Sequence, residues 1–156
     1  MLELINGKNQ IEANTDDILT EMIHVSAVFP ADTDETVTLT AHANANTWSA
    51  YTELADNDGV KLSTILGTSR GHLSDLVIEN ASVVDKAYMI EISYGDDHTV
   101  IATVRIISGS LVLLPPIQQM RIRSNHIPAS TEIYYRCKCE TGAGTMQVHL
   151  RYHAHA

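Results

Sequence analysis

Two alternating runs organise the last quarter of the chain. In Thr131–Cys139, Ile133, Tyr135, Cys137 and Cys139 share one face, and Glu132, Tyr134, Arg136 and Lys138 share the other. In Thr145–His153, Met146, Val148, Leu150 and Tyr152 face one way, and Gln147, His149, Arg151 and His153 the other. Between them lies Glu140-Thr141-Gly142-Ala143-Gly144. Period-two alternation on both sides of a glycine-bearing turn predicts an antiparallel hairpin. A slip of one residue would turn its apolar set into water, so the register is fixed. The upstream chain must then supply strands that cover that apolar face.

The upstream pattern does so. Asn14 to Ser26 reads as an arm or a short helix, with Asn14 as cap and Asp16 and Asp17 in the first turn, leading into a strand that ends at Pro30. After the acidic loop Ala31–Glu35, Thr36 to Ala43 alternates with Val37, Leu39 and Ala41 on one face. Trp48 to Leu54 reads as the next strand, Asp56-Asn57-Asp58-Gly59 as a turn, and Val60 to Leu66 follows it. Gly67 to Gly71 is a loop and Leu73 to Glu79 a short strand. Ala87 to Tyr94, with Tyr88, Ile90, Ile92 and Tyr94 in register, turns at Gly95–His98 into a partner strand, Thr99 to Ile107. Ser108-Gly109-Ser110 breaks the run, and Leu111–Leu114 leads into Pro115-Pro116. About ten short strands at this spacing, with little helix, predict an antiparallel sandwich or barrel. The absence of a βαβ rhythm argues against a parallel sheet.

Composition narrows the function classes. A length of 156 residues makes a single domain the default, and 44% apolar residues suffice for a core. Aromatics are 5%, so that core is aliphatic. A net charge of −9 argues against gripping nucleic acid through its phosphates and against docking on an anionic membrane. No basic, then apolar, leader opens this sequence, and no apolar run approaches the roughly 20 residues of a membrane span. A soluble protein made in a cytoplasm is the expectation. The two cysteines, Cys137 and Cys139, point the same way from one strand. A disulfide between them would be strained, so they are expected to be core thiols.

Candidate chemistry is sparse. Gly67-Thr68-Ser69-Arg70-Gly71 matches the G-x-S-x-G pattern of a nucleophile elbow, which needs a strand before it and a helix after it. The residues that follow, His72 to Glu79, carry no helical stripe, so a polar loop is the preferred reading. His149, His153 and His155 share a face if the last strand stays extended. Positions i and i+4 of a strand lie about 13 Å apart, so only His153 and His155 could share an ion. A solvated face at a frayed terminus is preferred. Asp56–Gly59 resembles a piece of a calcium loop, but Gly67 stands where a bidentate Glu would be needed. Trp48, the single tryptophan, is weighed as a sugar platform or interface anchor and assigned to the sandwich core. No catalytic, cofactor-binding or metal residues are assigned, and no cofactor is expected.

The order of elements resembles the small jelly-roll structural proteins of tailed bacteriophages, especially capsid cement or decoration proteins. The likeness runs over about residues 22 to 153. It rests on Thr36–Ala41, Trp48–Leu54, the turn from Ile92 to Gly95, Pro115-Pro116, and Pro128-Ala129-Ser130-Thr131-Glu132-Ile133-Tyr134-Tyr135-Arg136. The last segment follows a Pro-Ala-Gly-Thr-x-Ile-x-x-Arg step, with Ser130 where the family prefers Gly and Glu132 where Arg is frequent. The resemblance implies an all-β, antiparallel jelly-roll-like β-sandwich of roughly eight to ten strands. It also implies a non-enzymatic homotrimer seated on the outer surface of a capsid, with itself and the major capsid protein as partners. Residues 1–21 are expected to be an N-terminal arm reaching a neighbouring subunit, and 22–156 a single sandwich domain. A tail, baseplate or fibre protein binding host glycan is the alternative, and a serine hydrolase using Ser69 the third reading.

Overall fold

The computed structural model describes residues 24–109 and 118–155. In chain order the elements are β1 (His24–Phe29), β2 (Val37–Thr40), β3 (Thr52–Glu53), α1 (Leu62–Leu66), β4 (Arg70–Ala81), β5 (Ala87–Tyr94), β6 (Thr99–Ile107), β7 (Gln118–Arg121), β8 (Ile133–Cys139) and β9 (Thr145–His155). They form two sheets in which every pairing is antiparallel. The larger has the order β1-β9-β4-β7, with β2 also on β9, and the smaller β3-β8-β5-β6. The chain is an antiparallel β-sandwich, as the alternation predicts. The arm, the Asn14 cap, Leu111–Leu114 and the Pro115-Pro116 step lie outside the described residues.

The larger sheet is built around β9. Its C-terminal half pairs with β1, from Phe29 opposite Leu150 to His24 opposite His155. Its N-terminal half pairs with β2, from Val37 opposite Val148 to Thr40 opposite Thr145. An eleven-residue strand is long enough to carry two short partners end to end along one edge. On its other edge, β4 runs antiparallel with bulges at Ser74 and Glu79. The core lies between the sheets. Val37, Leu39, Leu73, Leu76, Ile78, Met146, Val148 and Leu150 from the larger sheet meet Tyr88, Ile90, Ile92, Ile133, Tyr135, Cys137 and Cys139 from the smaller. In β2, β5, β8 and β9 the inward set is the one that the alternation predicts, whereas in β4 the bulge at Ser74 breaks the period between Leu73 and Leu76. Both cysteines are buried, free thiols.

The structure corrects the pairing of the last two strands. β8 and β9 are not a hairpin: β8 belongs to the smaller sheet and β9 to the larger. The segment 140–144 is an arch that carries the chain across the sandwich, so the two apolar faces look at each other. Alternation fixes which face of a strand is buried but not whether its neighbour in sequence lies beside it or opposite it. The arch is fastened to the chain after β2: Ala41 N–H donates to Gly144 O (2.8 Å) and Ala143 N–H to His42 O (2.8 Å). Both glycines are required by close approach. A Cβ on Gly142 would lie 1.8 Å from Ala43 O, and one on Gly144 would lie 2.7 Å from the Tyr88 hydroxyl. The true hairpin is β5–β6, turning at Gly95 (φ +72°) as expected.

Two other expectations change. Of Trp48–Leu54, only Thr52–Glu53 is a strand, although Ser49 N–H still donates to Cys137 O (3.0 Å) alongside β8. Within Val60–Leu66, Leu62–Leu66 is a short helix rather than extended chain. It buries Leu62 and Leu66 and ends where Gly67 N–H donates to Ser63 O. Leu62 and Leu66 are four residues apart, so one turn of helix places both against the core. A five-residue element is too short for its period to show in sequence.

Candidate functional site

Ser69 sits between α1 and β4, with its backbone N–H on Leu66 O (2.9 Å). The local order is helix, turn, strand. A nucleophile elbow needs strand, turn, helix, so that backbone N–H groups at the helix start face the hydroxyl's target. The G-x-S-x-G match here is a short turn that begins at Gly67, after α1, with Gly71 already inside β4. The Asp56–Gly59 segment is likewise a turn: Val60 N–H donates to Asp56 Oδ1 (2.8 Å) and Gly59 N–H to Asp56 O (3.1 Å).

The outer face of the smaller sheet carries a charged and aromatic cluster. Register sets Glu91 of β5 directly opposite Arg136 of β8, and Tyr51, one residue before β3, flanks Arg136 on the other side. Glu91 is buried. Its Oε1 accepts hydrogen bonds from Arg136 Nε (2.7 Å) and from the Tyr51 hydroxyl (2.7 Å). The Arg136 guanidinium lies 4.7 Å from the ring centres of both Trp48 and Tyr51, and Lys138 Nζ lies 4.7 Å from that of Trp48. His98, from the β5–β6 turn, stacks on Tyr51 at 3.8 Å and meets Tyr134 edge-on at 4.8 Å. Trp48 is therefore half-buried on the outer face and not a core residue, which corrects the expectation. Its indole packs against cations, where both charge and flat surface are satisfied.

The outer face of the larger sheet carries imidazoles at one end. In the β4–β9 ladder His72 stands opposite His153, and His155 follows two residues on, on the same face. On the other edge of β4, Gly71 N–H donates to Ile127 O (3.1 Å) and Ile127 N–H to Gly71 O (2.6 Å). That antiparallel pair sets His126 beside His72. His72 and His153 stack with ring centres 4.7 Å apart; His72 and His155 are 5.1 Å apart, and His126 and His155 4.9 Å. His72 Nδ1 lies 3.0 Å from His155 Nε2. His155 is buried, His72 is half-buried and His126 is exposed.

The expectation of a frayed, solvated terminus is thus corrected: β9 keeps its pairing to His155, with strands on both edges. His149 belongs elsewhere on this face, its Nδ1 2.6 Å from Glu79 Oε1. His72 and His126 are missed by reading along the chain, because the register that gathers them joins segments about fifty and eighty residues apart. The spacing within β9 points to His153 and His155, which do join the cluster, but not to their partners on β4 and the loop after β7.

No family model matches this chain, and no curated protein matches it. Among solved structures it is similar to the VP2 subviral particle of infectious bursal disease virus, at 13% identity and a TM-score of 0.42, over 85% of this chain and 33% of that one. It is similar to the T=1 particles derived from that virus, at 11% identity and a TM-score of 0.41, over 85% and 32%. It is also similar to the CBM22-1–GH10 modules of Clostridium thermocellum xylanase 10B, at 13% identity and a TM-score of 0.35, over 81% and 25%. The chain spans about a third of the length of the viral proteins it matches. These likenesses are too distant to carry a function.

Proposed function

We propose that this protein is a non-enzymatic structural component of a virion, a cement or decoration protein on the head of a tailed phage. It works by burying its edges against further copies of itself and against the major capsid protein. The observation that carries the reading is at the sheet edges. Among the described residues, β1 and β6 are terminal strands, and each exposes an aliphatic side chain: Val28 is 42% exposed and Val100 49%. Sheet edges present ladder groups to any neighbouring strand, and proteins that stay monomeric blunt them with charge, proline or bulges. β6 has one bulge, at Ile101, and one charged residue, Arg105.

Two further points support it. The phage motif's glycine position is taken by Ser130, whose φ of +56° is one that glycine adopts freely. The charge of −9 suits an outer seat, away from packaged DNA. In this reading the protein is a homotrimer, and residues 1–21 form an arm that reaches a neighbouring subunit. A tail or fibre protein binding host glycan is the second reading, and the outer-face position of Trp48 favours it. Its indole is already engaged by Arg136 and Lys138, which weighs against a free stacking platform.

Light scattering on the purified chain tests the proposal. A mass of three chains is expected, falling towards one in Val28→Lys or Val100→Lys. A monomeric wild type, or a trimer indifferent to both substitutions, would count against edge-mediated assembly.

A further inference from the structure

We infer that His72, His126 and His155 form a binding site for one divalent transition-metal ion of the zinc class. The inference is independent of the virion role. One ring nitrogen from each of the three residues comes within 4.8 Å of the other two. A tetrahedral ion with bonds of about 2.0–2.1 Å needs its ligand nitrogens about 3.3 Å apart. The His72–His155 pair, at 3.0 Å, is already near that spacing. His126, exposed and on a loop, has only to close inwards.

The supporting shell is built. The His126 loop is pinned to β4 on both sides: Leu73 N–H donates to Ser124 Oγ (2.8 Å), and Ile127 and Gly71 exchange two backbone hydrogen bonds. His72 is held flat against His153, with 19° between the ring planes. His155 is anchored by a ladder on both edges of β9. Fixed neighbours of this kind are what keep ligands in productive orientation. Neutral imidazole suits zinc, copper and nickel better than magnesium or calcium, which prefer oxygen. Three nitrogens leave the fourth position to water. Arg70, opposite His155 in the ladder, is the nearby cation such a site must tolerate, and it is exposed. The bound ion would staple the loop after β7 to the ends of β4 and β9.

The test is calorimetric titration of tag-free, chelator-stripped full-length protein with Zn²⁺, with Co²⁺ absorption as a second readout. One equivalent per chain is expected, with visible Co²⁺ bands of a tetrahedral site and a Tm that rises with added Zn²⁺. His126→Ala removes an exposed ligand, so it should fold like the wild type without metal. It should bind Zn²⁺ at least about 10-fold more weakly. His72→Gln should do the same, whereas His149→Ala, outside the cluster, should bind like the wild type. Absence of stoichiometric binding to the wild type would overturn the inference. So would affinity unchanged in both His126→Ala and His72→Gln.

Discussion

At the scale of single residues, Glu91 and Arg136 show how the outer face of a sheet can hold a charge out of water. Burial alone would raise the Glu91 carboxyl. The hydrogen bonds from Arg136 and Tyr51, with the charge of the guanidinium, outweigh it and hold the group below its ordinary value. Asp75 is also lowered, first by the hydrogen bond from Gln119. A carboxylate with a depressed folded-state pKa adds stability above its unfolded value, and that stability is lost as pH falls through the folded one. Urea titrations should therefore show wild-type stability falling below about pH 4.5, near the unfolded carboxylate range. Glu91→Gln should fall less steeply, and parallel curves would contradict the assignment. Arg136→Ala leaves a buried carboxylate without its cation and should cost about 3 kcal/mol at neutral pH. Burial pushes the Cys137 thiol up to about 12. Alkylation at pH 8 should therefore wait on opening of the fold rather than proceed at the rate of an exposed thiol. Ser130 holds a left-handed backbone, so Ser130→Gly should stabilise by about 0.5 kcal/mol, the strain relieved less the added entropy of the unfolded chain.

At the scale of elements, sequence spoke clearly about faces and weakly about partners. Val37, Leu39 and Ala41, the even positions of β5 and both halves of the last quarter are inward as their alternation implies, because burial is a property of one strand at a time. That β8 and β9 oppose each other across the core depends on the arch, whose cause is the fit of Gly142 under Ala43 and of Gly144 against Tyr88, and no local pattern encodes that contact. Gly142→Ala should lower stability by more than about 2 kcal/mol, because backbone rather than a flexible side chain stands in the way. An unchanged urea midpoint would show that the arch is not tightly packed there. The imidazole cluster was hidden for the same reason. Its register joins β4, β9 and the loop after β7, three segments distant in sequence, whereas the G-x-S-x-G match was visible but lacked the order of elements that gives it chemistry.

At the scale of the whole molecule, two sheets close over an aliphatic core and leave their outer faces and edges to meet other molecules. Several of the charged and aromatic groups on those faces are engaged with one another. Glu91 is neutralised by Arg136, Tyr51 and Trp48 carry its guanidinium, and His149 faces Glu79. What the surface offers outward is shape, net negative charge and aliphatic side chains along terminal strands. These suit the proposed subunit, which would act by contact on a lattice. Cryo-microscopy of the purified particle, with the chain fitted to the density, tests this most directly. The account predicts many symmetric copies outside the shell, contacting one another and the major capsid protein through strand edges. A particle carrying the chain only at a tail tip, or not at all, would contradict it.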